Sequence, residues 1–226
     1  MRLVEKVRAF RDSRHQKKIE KSIKVVKNAK AIKEERWAAL SFLAEDAQGI
    51  ELVVPGLLER FEYSLEHGIA DSREKELALK GITRFEKEAI PFIQEHLSVT
   101  DRIAWPIKAL KALADNDTVA RVLKSALNFE DVTFDQSAVD KNYDILCYLR
   151  EFDLNGFFGE VAHFLKDPDE RVRFAAAEAL IDQKNPEVKT YLEPLLEDHS
   201  VENSRIKNSI VNCFKSNGWP LPEQQG

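Results

Sequence analysis

Apolar residues recur along this chain at three- and four-residue steps, and no stretch sustains the period-two alternation of a half-buried strand. Leu3, Val4, Val7 and Phe10 predict a short amphipathic helix over 2–14. Ile19, Ile23, Val26 and Ile32 predict a longer one over 16–34. The same spacing predicts helices over 36–47, 52–67, 73–87, 89–98, 102–114, 119–127, 137–152, 157–166, 170–183, 188–197 and 203–215. Gly68 reads as the C-cap of 52–67 and Ala70-Asp71-Ser72 as the N-cap of the helix after it. Thr100-Asp101 and Asp117-Thr118 read as further N-caps. Pro91 stands early in its helix, where a missing N–H costs little, and Pro106 predicts a late start or a kink. Residues 128–136 form the longest candidate loop.

Within this all-helical pattern one unit repeats. Shifting Arg171-Val172-Arg173-Phe174-Ala175-Ala176-Ala177-Glu178-Ala179-Leu180 forward by 34 residues lands it on Arg205-Ile206-Lys207-Asn208-Ser209-Ile210-Val211-Asn212-Cys213-Phe214. Val172 falls on Ile206, Ala176 on Ile210 and Leu180 on Phe214. A shift of this size that preserves helical spacing is the signature of stacked helix pairs. About six pairs follow, beginning near residues 16, 52, 88, 117, 156 and 188.

The stretch Asp167-Pro168-Asp169-Glu170-Arg171-Val172-Arg173 with Ala176, Ala179 and Leu180 resembles HEAT repeats, particularly their bacterial HEAT-like branch. The resemblance implies an all-α, right-handed solenoid whose second (B) helices line a concave side. It also implies an inter-repeat ladder from a turn Asp and a B-helix Arg six residues apart, which Asp167 and Arg173 match. One period later those positions hold Val201 and Lys207, and one period earlier Phe134 and Asp140, so the ladder is carried over to Asp167 and Arg173 alone. The resemblance is specific over 156–215 and extends by periodicity to about residue 35. The expected organisation is a basic helical arm over 1–34, a repeat body over 35–217 and an extended tail over 218–226.

Charge changes this picture at one end. Of the 226 residues, 32% are charged, mean hydropathy is −0.40 and the net charge is −5. Residues 1–36 hold 13 Lys/Arg against 5 Asp/Glu, whereas the remaining 190 hold 21 against 34. The arm carries Lys17, Lys18, Lys21, Lys24, Lys27, Lys30 and Lys33. The three-residue steps from Lys18 onward drift around a helix that turns 100° per residue. No apolar run approaches the roughly 18 residues a membrane span needs. Cys147 and Cys213 both fall on apolar helix stripes, so buried thiols in a reducing cytoplasm are expected rather than a disulfide.

Catalytic signatures are few. Glu66-His67 and Glu95-His96 run Glu-His, and His15, His67, His96, His163 and His199 do not fall into a column across the repeats, which argues against a metal site. No Gly-rich phosphate loop, Gly-x-Ser-x-Gly elbow or Cys-x-x-Cys occurs, and no cofactor is expected. Glu130, Asp131, Asp135, Asp140 and Asp144 lack calcium-loop spacing and read as an acidic surface. HEAT-like folds include DNA glycosylases and bilin lyases, but a duplex-binding groove is basic and this body is acidic.

Laying the helices on the repeat leaves Ile107, Leu110, Tyr148, Phe174, Ile181 and Val211 on the outer B-helix face, edged by Asp140 and Asp144. Two readings fit: packing against flanking helices, or a partly apolar groove for a basic or amphipathic segment of another protein. The expected function is therefore a non-catalytic protein-binding scaffold. Nucleic-acid or anionic-membrane binding through the basic arm is the alternative.

Overall fold

The computed structural model describes residues 2–130, 135–197 and 204–221, with side chains from Ser13 onward. All regular structure among them is helical and no strand is present. The chain divides into two compact units, Met1–Asp115 and Asn116–Gly226, a boundary the periodicity of the repeats did not announce.

The first unit holds α1 (Arg2–Val26), α2 (Lys33–Ser41), α3 (Ile50–Leu58), α4 (Gly68–Thr83), α5 (Ile90–Val99) and α6 (Ala104–Leu113). Consecutive helices pair as α1 with α2, α3 with α4 and α5 with α6. The first members also pack on one another (α1 on α3, α3 on α5), as do the second members (α2 on α4, α4 on α6). Two layers result, with Leu40, Leu43, Val53, Leu57, Ile82, Ile93, Leu97 and Leu110 buried between them. Gly81 marks the closest approach: a Cβ there would lie 2.7 Å from the Cα of Ala44.

The two helices expected at the N-terminus are one. It ends at Val26 rather than at 34, because the Asn28 side chain accepts the Lys30 N–H at 3.0 Å and turns the chain. Lys30 therefore lies in a turn, and Lys33 opens α2. The helix is no detached arm, since Ile19, Ser22 and Val26 are buried against α2 and α3. The apolar positions expected at Leu3, Val4, Val7 and Phe10 lie outside the described side chains.

Gly68 is the first residue of α4 and not a C-cap; α3 gives way to a 3-10 turn over Glu59–Glu62 and then to extended chain. Asp71 lies inside the first turn of α4, where its carboxylate reaches back to the Leu65 N–H at 3.0 Å. Pro106 is the third residue of α6, among the N–H groups a helix leaves unbonded, so the late start is what occurs.

The second unit holds α7 (Asn116–Ser125), α8 (Gln136–Leu149), α9 (Phe158–His163), α10 (Glu170–Ile181), α11 (Lys189–Glu197) and α12 (Ser204–Ser216). Here α8, α10 and α12 lie side by side, and α7, α9 and α11 pair with them in turn. Asp135 caps α8 through the Ser137 and Ala138 N–H groups, and Asp169 caps α10 through the Arg171 N–H. Val172, Ala176, Leu180, Ile206, Ile210 and Phe214 are all buried, so the shifted positions do share a core role. After α12, Gly218 takes a φ of 67° and the chain folds back, setting Trp219 edge-on against Phe214.

Candidate functional site

The sequence-selected surface residues do not form one apolar face. Ile107 and Leu110, at 1% and 0% exposure, belong to the core of the first unit and are withdrawn from any partner surface. The residues at the corresponding positions of the second unit separate by the flank they occupy. On α10, Phe174 and Ile181 face α12: the Arg205 guanidinium lies 3.6 Å from the centre of the Phe174 ring, and Ile181 lines a shallow hollow with Ser209, Asn212 and Cys213. Both side chains are half-buried by this packing. Val211 on α12 and Tyr148 near the end of α8 are both half-buried.

What remains outward on α8 and α10 is ionic. Asp140 accepts from Arg171 at 2.9 Å, and Arg171 also bonds the Asp169 cap at 3.0 Å and lies over the Tyr143 ring. Below it, Arg150 joins Asp182 at 2.6 Å and Glu178 at 3.1 Å, tying the end of α8 to α10. Asp144 stands one turn after Asp140, exposed and with no hydrogen bond or ion pair among the described residues. Partial burial and the neighbouring Asp140 raise its carboxyl above the ordinary range, against the opposing pull of Arg171. Burial likewise pushes the Cys147 thiol up, although Tyr143 hydrogen-bonds to it. Arg173 bonds the carbonyls of Asp167 and Pro168, each at 2.8 Å, and the Asp167 carboxylate accepts the Asp169 N–H at 2.9 Å. This pair thus fixes the turn before its own helix.

The histidines stay apart. His15 accepts the Gln48 N–H, His67 precedes α4, His96 lies 2.8 Å from Glu62, and His163 stacks edge-on with Phe129 and Phe164. His199 lies outside the described residues. No three His, Cys, Asp or Glu side chains among those described are placed to hold a metal.

The first unit holds a charge cluster that periodicity missed. Glu74, 1% exposed, accepts from Arg36 at 2.9, 3.0 and 3.1 Å and from Arg60 at 2.7 Å. Arg60, fully buried, also bonds Asp71, which pairs with Lys75 at 2.8 Å. Arg36 holds the Ala31 carbonyl, and Tyr63 donates to that of Val26 at 2.6 Å. The network ties together two successive pairs, the end of α1 and the start of α2 with the turn after α3 and the start of α4. Its signal was present: Arg60 sits on an apolar stripe with Leu57 and Phe61, and Glu74 on one with Ala78 and Ile82.

Comparison of the chain with protein-family models, with curated proteins and with solved structures finds no match.

Proposed function

We propose that the chain is a non-catalytic, cytoplasmic protein-interaction module of HEAT-like helix pairs, in which the outward face of α8 and α10 receives a basic or amphipathic segment of another protein. On this reading α8, α10 and α12 are the B helices of a right-handed solenoid and line its concave side. Their side-by-side packing and the 34-residue correspondence between α10 and α12 support it. Residues 116–226 carry 20 Asp/Glu against 12 Lys/Arg, which favours a cationic partner.

Asp144 carries the proposal. An exposed carboxylate beside Asp140, raised by desolvation and like charge, lacks the cation its neighbours have found. A lysine or arginine from a partner would supply it. Because Phe174 and Ile181 are engaged by α12, recognition on this face is chiefly ionic and salt-sensitive.

The test is a titration of isotope-labelled full-length protein with a lysine-rich amphipathic peptide, followed by NMR shifts. Shifts should centre on Asp140, Tyr143 and Asp144, weaken with salt and disappear in Asp140→Asn/Asp144→Asn. Shifts confined to other helices, or equal affinity in the double variant, would refute the assignment.

A further inference from the structure

The outward side of α1 carries lysines that pair with no acid among the described residues. Ile19, Ser22 and Val26 bury one side of this helix. Lys17, Lys21 and Lys24 recur at steps of four and three, which at 100° per residue keeps them within about 60° of one another on the opposite side. All three are exposed, with no ion pair among the described residues. The flanking lysines are employed within the unit: Lys18 lies 3.6 Å over the Phe42 ring, and Lys27 pairs with Glu59 at 2.6 Å.

Where α1 ends, the turn into α2 extends the same character. Lys30 and Lys33 are exposed, and between them Ile32 is 62% exposed. Trp37 stands one turn after Lys33 on the same face of α2, 42% exposed. Over residues 13–37 the exposed acids are Glu20, Glu34 and Glu35, against eight exposed Lys and Arg.

We propose that this surface docks on an anionic lipid bilayer, with Lys17, Lys21, Lys24, Lys30 and Lys33 at the headgroup phosphates and Ile32 and Trp37 at the acyl boundary. The combination selects the partner. Clustered lysines on a helix face supply attraction to an anionic leaflet, and an exposed aliphatic beside a Trp supplies the apolar contact that lysines alone lack. A single-stranded nucleic acid is less well served, because the stretch from Lys17 to Lys24 carries no ring on which a base could stack. The contact is peripheral, since no helix among the described residues is long and apolar enough to cross a membrane. This surface belongs to the first unit and is independent of the Asp140–Asp144 face.

Co-sedimentation of the full chain with vesicles tests it, comparing phosphatidylserine-containing with pure phosphatidylcholine vesicles. Binding is expected to the anionic vesicles alone and to fall with salt. Each lysine at such a surface is worth roughly fivefold in partitioning, so Lys17→Glu/Lys21→Glu/Lys24→Glu should lower it by about 100-fold or more. Ile32→Ser should weaken it without changing the salt dependence. In a chain with Trp105→Phe and Trp219→Phe, Trp37 emission should shift to the blue with anionic vesicles. Circular dichroism of every variant verifies that it stays folded. Absence of binding to anionic vesicles at low salt, unchanged binding by a folded triple variant, or retardation of single-stranded RNA with no vesicle binding would each overturn the proposal.

Discussion

Glu74→Gln should destabilise the first unit severely while leaving the second unchanged. The carboxylate is the common acceptor of Arg36 and Arg60, whose side chains are 5% and 0% exposed, through four hydrogen bonds of 2.7–3.1 Å. Glutamine keeps the shape, removes the charge and turns an amide donor toward guanidinium donors. Breaking a buried pair from one side typically costs about 3–5 kcal/mol, since the remaining charge cannot return to water. For a unit of this size, unfolding in urea loses about 2 kcal/mol per molar, so the midpoint should fall by about 2 M. Tryptophan emission separates the units. Trp105 stacks on Phe61 in the first and Trp219 meets Phe214 edge-on in the second, and with Trp37→Phe a chain retaining only one of them reports one transition. The Trp105 transition should move and the Trp219 transition should not. Replacing the triad together, Arg36→Met/Arg60→Met/Glu74→Leu, should cost far less, because Asp71 keeps Lys75 and no charge is left without a partner. A fall of less than about 0.5 M in the Trp105 midpoint of Glu74→Gln would refute the view that the network is closed to solvent and mutually dependent.

Acid should act on the same unit through Asp71. Burial alone would raise its carboxyl, but hydrogen bonds from Lys75, Arg60 and the Leu65 N–H outweigh that and hold it below the ordinary 3.8. Its stabilisation is therefore complete above about pH 3.8 and lost as pH falls through the native value, which Asp71→Asn should flatten in acid-unfolding curves. Gly81→Ala should destabilise by about 1–3 kcal/mol in denaturant melts despite alanine's better helix propensity, because the new methyl meets Ala44 backbone and Leu57 at 2.7–2.8 Å. The thiols of Cys147 and Cys213 are both raised from 9.0, foremost by burial, so alkylation followed by mass spectrometry should be slow at neutral pH until the protein unfolds. Asp144→Asn should raise the unfolding midpoint at neutral pH, since a carboxyl with a raised native pKa opposes folding when ionised. That gain should vanish below pH 3.8, where the acid is protonated in both states.

Helix positions were legible because burying one face of a helix imposes a periodic constraint, and Val172, Ala176, Leu180, Ile206 and Ile210 obey it to the residue. Boundaries were legible only where a local cap decides them. Asp169 and the Asp167-Pro168 turn fix the start of α10, whereas Asn28 ended α1 through a side-chain turn inside a run that otherwise reads as helix. The candidate groove was not legible, because helical spacing tells inward from outward and not which outward flank a neighbour covers. Spacing leaves Phe174 open to both readings, a packed flank or a groove, and Arg205 on the next repeat lies across its ring. The Arg36–Glu74–Arg60 cluster escaped for a related reason: each member looks like a solitary polar residue on an apolar stripe until the three helices that carry them are brought together.

The buried network of the first unit and the α8–α10 face of the second use charge in opposite ways, and this bears on where a partner can act. In the first, Arg36, Arg60, Glu74 and Lys75 are turned inward, each 6% exposed or less, and no incoming group can take over one of these bonds without leaving a charge stranded. In the second, Asp140–Arg171 and Arg150–Asp182 lie in solvent, where an ion pair contributes only about 0–1 kcal/mol. Such pairs can be exchanged for a partner's charges at little cost to the fold. Ionic recognition by exchange is therefore open to the α8–α10 face and closed to the network of the first unit. Any ligand of that unit must use charges the network does not engage, and Lys17, Lys21 and Lys24 are such charges, fixed on a helix whose other face is locked into the core.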